Sequence, residues 1–463
     1  MSVVPGPGGG FKIDRQPPGL LVLFVTELWE RFAYYGVRAL LILYLIDTAA
    51  GGLGWSREHA SRLYGWYNGL LYLTPVAGGW LADRLLGANR TLAIGGALIS
   101  LGYFTLALST DSAFYGGLFL VIMGTGCFKP NVYTMVGQLY SPHDIRRDSG
   151  FTLYYMGINL GALFGPLVCA WFAVNPRFGW PWGFGIAGAG MLLGLGFYLG
   201  TRGQRLSGVG SRPLASGGLS MDELAARDSL TPEDRERMAA LALVTVFVVF
   251  FWLAFEQVGS SLNLFAAQRT ERTLSGWAAG LAPQGEIPAA WFQAVNPLFV
   301  LMLAPMVARW WQRLGPRAPS TQAKMALGLI VLGLGYVIMV LAAAKSDRGI
   351  LVSPWYLISF YFVYSLGELC FLPAGFSFVG QAAPVRLASM LMGIWLAANF
   401  LANLIGGYLA GMIEGFERGE FSWALGGQAD FFLLFVVSCL GGGTLLAALL
   451  PLITRLMRSA VPR

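Results

Sequence analysis

Apolar runs of bilayer-spanning length, repeated along the whole chain, constrain this sequence more than anything else in it. An α-helix needs about 20 residues to cross the hydrocarbon core. Twelve such runs are read in 463 residues: 20–46, 60–83, 91–110, 113–138, 149–174, 182–201, 239–264, 291–312, 323–344, 353–381, 387–413 and 429–454. Only 12% of the residues are charged while 56% are hydrophobic, and a soluble chain carries about a quarter charged residues. A soluble enzyme, a disordered chain, a coiled coil and a secreted disulfide scaffold are thereby set aside. The formal charge of +7 does not point to nucleic acid, because Lys and Arg collect in short segments between the apolar runs. Cys127, Cys169, Cys370 and Cys439 each sit alone in an apolar run, read as small packing residues with no metal-ligand spacing. The first run carries Glu and Arg, so the N-terminus does not read as a cleaved signal peptide. No nucleophile–base pairing and no phosphate loop is found; the expectation is a non-enzyme without metal or cofactor.

Segment 202–238 breaks the pattern with six Arg, several acids, Ser and Gly. It divides the chain into an N-terminal six-helix bundle (1–201), a cytoplasmic linker (202–238) and a C-terminal six-helix bundle (239–463). Within the linker, 220–238 is read as a short surface helix starting near Ser220 or Asp222. Counting those at helix ends, twenty Lys and Arg fall in segments on the side of the N-terminus and seven on the other. The positive-inside rule then places both termini in the cytoplasm. Two six-helix halves joined by a cytoplasmic linker suggest a rocking transporter with its site at the midplane between them.

A charge at the bilayer centre costs about 2.5–3.5 kcal/mol on insertion scales. Seven lie inside predicted spans: Glu27, Glu30, Arg31, Arg38, Lys129, Glu256 and Glu368. They must face one another or a water-filled cavity. At about 100° per residue, Glu27, Glu30, Arg31 and Arg38 fall on one face of the first helix, over a rise of about 16 Å. That stripe is either an ion cluster that locks the helix to its neighbours or a surface that binds protons and substrate. Lys129 precedes Pro130, which removes a helix hydrogen bond and distorts the turn presenting it. Tyr155 and Asn159 share a face at i, i+4. The first half supplies cations (Arg38, Lys129) and the second isolated anions (Glu256, Glu368). Pairs between them would hold one mouth shut, and a substrate carrying both charges could replace them. The seven sum to one negative charge, which agrees with coupling to a single proton.

These residues carry a resemblance. Glu27-x-x-Glu30-Arg31-Phe32-x-Tyr34-Tyr35-Gly36 resembles the first-helix signature of the proton-dependent oligopeptide transporters of the major facilitator superfamily. Gly79-Trp80-Leu81-Ala82-Asp83-Arg84-Leu85-Leu86-Gly87, Phe128-Lys129-Pro130-Asn131 and Phe151-x-x-x-Tyr155-x-x-x-Asn159-x-Gly161 are similar to three further motifs of that family, in the same order. The resemblance implies an all-α fold of twelve transmembrane helices in a bacterial cytoplasmic membrane, acting as a monomer. It implies symport of di- and tripeptides with protons. Arg38 and Lys129 would then hold the peptide carboxylate, with Tyr35, Tyr72, Asn159 and Asn296 around it, and Glu368 the amino group. Glu27 and Glu30 would take part in proton coupling, with Arg31 setting their proton affinity. Arg38–Glu256 and Lys129–Glu368 resemble the family's salt bridges between halves. Trp395 and Asn399 would line a side-chain pocket, although Trp395 also reads as a packing aromatic. Asp83 and Arg84 read as a loop-stabilising cluster or a conformational latch.

Two departures from the family stand out. Some bacterial members carry two extra helices between the halves, for which 202–238 is too polar. Animal members use a histidine of the second helix, whereas the histidines here are His59, at the mouth of that helix, and His143, in a cytoplasmic loop. The proton is therefore assigned to carboxylates. Other readings are a carrier of nitrate, another small anion or a peptidomimetic, and a peptide sensor that does not transport. Glu368 together with Lys129 disfavours nitrate, which needs a net positive site.

Overall fold

The computed structural model describes residues 16–141, 144, 146–211, 213, 232–382 and 388–458. Among them are twelve helices of 19 residues or more: α1 (Pro18–Ile46), α2 (Arg57–Leu81), α3 (Ala88–Leu106), α4 (Asp111–Gln138), α5 (Arg147–Val174), α6 (Trp180–Arg205), α7 (Pro232–Phe255), α8 (Val295–Leu314), α9 (Thr321–Ser346), α10 (Trp355–Ala382), α11 (Ala388–Gly411) and α12 (Gly427–Ala448). Nine of the twelve are long and apolar enough to cross a membrane by length and composition. The other three are α1, α2 and α3. Four charges interrupt α1, and α3 opens on Asn89-Arg90. Side-chain caps mark several starts: Ser56 accepts from the His59 N–H, Thr110 from Ala113 and Ser320 from Ala323, each satisfying an otherwise orphan donor.

In the first half, α1 packs between α5 and α6, and α3 packs on α4 and α6. In the second, α9 lies between α10 and α12, while α7 rests on α11 and α12. Each half has its own buried apolar cluster. The halves meet where α2 runs along α11 and α5 faces α8. Small residues set these distances: Gly65 lies on Gly407 between α2 and α11, and a Cβ on either would strike the other's backbone. Close approach of this kind is how membrane helices gain packing where lipid supplies no hydrophobic drive.

Three boundaries differ from the sequence reading. The seventh run does not continue unbroken to 264. It stops at Phe255, passes through a tight 3₁₀ turn over Glu256–Gly259, and resumes as a short helix, Ser261–Gln268. The freed carbonyls are taken up by hydroxyls: Tyr336 donates to Ala254 O at 2.6 Å and Tyr364 to Phe255 O at 3.0 Å. Gln257 Nε2 donates to Leu253 O and Gly406 O, and its Oε1 accepts from Ser261 Oγ at 2.7 Å. Backbone irregularity inside a membrane survives only with such partners. The twelfth run likewise ends at α12, and Leu450–Arg458 forms a separate helix whose second residue, Pro451, has no N–H to continue the ladder. Of the expected surface helix 220–238, residues 232–238 belong to α7; its start at Ser220 or Asp222 lies outside the described residues.

Candidate functional site

The stripe on α1 is buried as a unit: Glu27, Glu30, Arg31 and Arg38 are all withdrawn from the surface. Arg31 Nε stands 3.0 Å from Glu27 Oε1 and also pairs with Glu30. Its guanidinium carbon lies 5.1 Å from the centre of the Tyr34 ring. The helix can sit this deep because α5 offers Gly161 and Gly165 to it, where any side chain would overlap Leu28 O and Phe32 O.

One helical stretch further on, Arg38 reaches across the halves. Its Nη2 donates to Glu256 Oε2 at 2.7 Å and its Nε to the Tyr64 hydroxyl at 3.1 Å. Tyr72 donates to the other Glu256 oxygen at 3.4 Å. The break after α7 is what brings Glu256 here. Gly259, in the same turn, presses against the Tyr64 hydroxyl so closely that a Cβ would overlap it. Tyr35 stacks its ring near the same guanidinium, at 5.8 Å.

Lys129 is half-buried, its ammonium 4.4 Å from the centre of the Tyr72 ring. Pro130 has no N–H to return to the preceding turn, and Asn131 Nδ2 donates to Cys127 O at 2.7 Å. Gly78 of α2 lies directly on Gly126 O, the carbonyl that Pro130 leaves free. Glu368, on α10, is held by other groups: Asn296 Nδ2 of α8 donates to its Oε2 at 2.8 Å, and the Tyr155 hydroxyl of α5 faces it. The expected Lys129–Glu368 salt bridge is not formed. Lys129 lies within electrostatic reach of Arg31, Glu30, Glu27 and Glu256, and Glu368 within that of Arg38. Lys129 projects toward the α1 cluster, whereas Glu368 is turned to α5 and α8.

The remaining expected residues fall in three places. Asn159 donates to Tyr155 O, back along its own helix, at 3.0 Å. Trp395 is buried in the second-half cluster against Gly375, and Asn399 Nδ2 donates to Trp395 O at 3.1 Å. Asp83 and Arg84 lie in a π-turn at the end of α2, closed by Gly87 at φ 76°. His59 is exposed with its ring against Trp55; His143 lies outside the described residues.

Several contributors had no charge to announce them. Tyr64 and Asn68 precede Tyr72, itself already expected, at four-residue spacing on α2; Asn68 Oδ1 accepts from Tyr34 at 3.4 Å. A polar i, i+4, i+8 stripe was the available signal. Further links lie toward the end of the molecule where α1 finishes. Asn263 Nδ2 donates to Ala39 O at 2.8 Å, and Trp291 Nε1 to Leu167 O at 2.9 Å. Arg57 pairs with Glu417 at 2.9 Å, Arg269 with the same carboxylate at 2.8 Å, and Gln428 donates to it as well. The molecule is thus bridged at that end, with charged groups from both halves gathered beneath the bridge. Chemically, the arrangement sets the cations Arg38 and Lys129 of the first half and the carboxylates Glu256 and Glu368 of the second within one buried polar region.

The chain is similar to known proteins. A family model described as the POT family matches residues 89–213 and 220–424. Peptide transporter YePEPT of Yersinia enterocolitica is 35% identical over 88% of this chain and 90% of its own. A di-/tripeptide transporter of Lactococcus lactis is 34% identical over 84% of this chain and 88% of its own. A crystal structure of peptide transporter POT in complex with sulfate superposes with a TM-score of 0.84 at 32% identity, over 97% of each chain.

Proposed function

The chain belongs to the POT family, and from that premise we propose how its buried charges carry out proton-coupled symport of di- and tripeptides by alternating access. The fold is the all-α, multi-pass membrane architecture of the major facilitator type, the bilayer being a bacterial cytoplasmic membrane. The observation that carries the reading is the Arg38–Glu256 pair, made between the halves beside Lys129 and within the field of Glu368.

The peptide carboxylate is placed on Arg38 and Lys129, with Tyr35, Tyr72 and Asn159 alongside. The ammonium is placed on Glu368, held by Asn296. The arrival of the peptide carboxylate competes with Glu256 for Arg38 and so weakens the bridge between halves. Glu27 and Glu30, both paired with Arg31, are assigned the proton. With both termini cytoplasmic, the bridged end is extracellular and the captured state opens inward. The unit that works is the monomer.

Uptake of labelled dialanine into proteoliposomes under an imposed inward pH gradient tests this. Accumulation that collapses when the gradient is dissipated is the expected result. Gradient-independent nitrate uptake, with dialanine excluded, would replace the reading with an anion carrier.

A further inference from the structure

The contacts around Glu368 include one side chain with no assigned part. Ser365 lies one turn before it on α10 and is fully buried. Its Oγ donates to Tyr361 O at 2.8 Å, with Asn296 O a longer 3.4 Å away. Both of those carbonyls only accept. Whichever takes the hydroxyl proton, Ser365 has lone pairs alone to offer the Asn296 side chain. It uses them: Asn296 Nδ2 donates to Ser365 Oγ at 3.0 Å. The same nitrogen donates its second proton to Glu368 Oε2 at 2.8 Å. A primary amide has two N–H bonds and a carbonyl on opposite sides. Turned over, it would set Oδ1 against a hydroxyl lone pair and a carboxylate, two acceptors at once.

We propose that Ser365 is a positioning residue that fixes the Asn296 amide with its N–H face toward Glu368, and so prepares that carboxylate for the α-ammonium of a peptide. The inference rests on Glu368 being the ammonium site. Without the hydroxyl, one amide proton has no acceptor and the side chain is free to turn. Glu368 then loses the donor that holds its Oε2 in place, and the ammonium meets a carboxylate of variable orientation. The deficit is one of substrate recognition, since nothing in the step that moves the helices uses Ser365.

Threonine and valine test it, because they are near-isosteric and differ in the hydroxyl alone. In proteoliposomes under a pH gradient, Ser365→Val is expected to raise the dialanine KM by about tenfold, the effect of one orphaned buried donor, with kcat little changed. Ser365→Thr is expected to stay near the wild type. The preference for dialanine over N-acetyl dialanine, read by competition, should shrink in the valine variant and persist in the threonine one. Equal behaviour of the two variants overturns the proposal, as does a valine variant that loses kcat at unchanged KM. Should the added methyl keep both from accumulating in the membrane, Ser365→Ala removes the hydroxyl without adding volume, and an unchanged dialanine KM there overturns it too. A wild type that fails to distinguish the two peptides is a different result: it removes Glu368 from ammonium recognition, and this proposal with it.

Discussion

Arg31 stands between Glu27 and Glu30, so the loss of either acid's charge shifts its attraction to the other. Glu30→Gln is expected to reduce gradient-driven dialanine accumulation to background while counterflow exchange of peptide largely persists. Acid-driven accumulation retained in that variant would move the proton to Glu27. The α1 stripe is legible because helical periodicity alone puts four charges on one face and burial forces them to find company. The partner each charge takes is a different matter. Arg38 and Glu256 lie 218 residues apart in the chain and still meet. Lys129 and Glu368, equally buried in the sequence pattern, do not, because aromatic and amide groups occupy the space around each. Nothing in a sequence reports the rotation of one helix against another, and that rotation decides the pairing. Tyr64 and Ser365 escape for a simpler reason: a hydroxyl costs too little to bury to draw attention by itself.

At the scale of elements, helix existence is legible from run length and the interruption of α7 is not. The run 239–264 is apolar up to Phe255 apart from Thr245, and its warning is the polar stretch that follows, Glu256-Gln257 and Gly259-Ser260-Ser261. Partners from α9 and α10 make the break affordable, and these come from tertiary structure. The break has a checkable role, since Gly259 is the point at which the second half touches Tyr64. Gly259→Ala should disfavour the bridged state by about 1–3 kcal/mol, the usual toll of overpacking. In a Ser61→Cys background, where the label site lies under the α2–α11 contact, the reaction with an outside-added impermeant maleimide should quicken by roughly tenfold. An unchanged rate would mean that the turn relaxes away from Tyr64 without loosening the closure.

Among the described residues, the links that can be placed lie mostly toward one end of the molecule. Apart from Tyr155 beside Glu368, the polar links between halves among the described residues gather between Arg38–Glu256 and Arg57–Glu417. The cluster around Glu417 is only partly buried, and pairs of that exposure contribute about 0–1 kcal/mol. Glu417→Gln is therefore expected to leave the melting temperature near that of the wild type. It should raise the reactivity of the Ser61→Cys site by roughly two- to fivefold, an increase that high salt reproduces in the unsubstituted chain. A large drop in melting temperature would make Glu417 a general support of the fold. Which end is fastened is the part of the architecture least legible in the sequence, because it depends on contacts such as Arg57–Glu417, 360 residues apart. The fastening is not polar alone. Leu264 and Ala290 belong to the second half of the chain, yet they are buried in the apolar cluster of the first. Opening that end wets them, and exposure of apolar surface to water carries a positive heat-capacity change. The seal at that end thus carries a temperature dependence of its own: cooling weakens its apolar part.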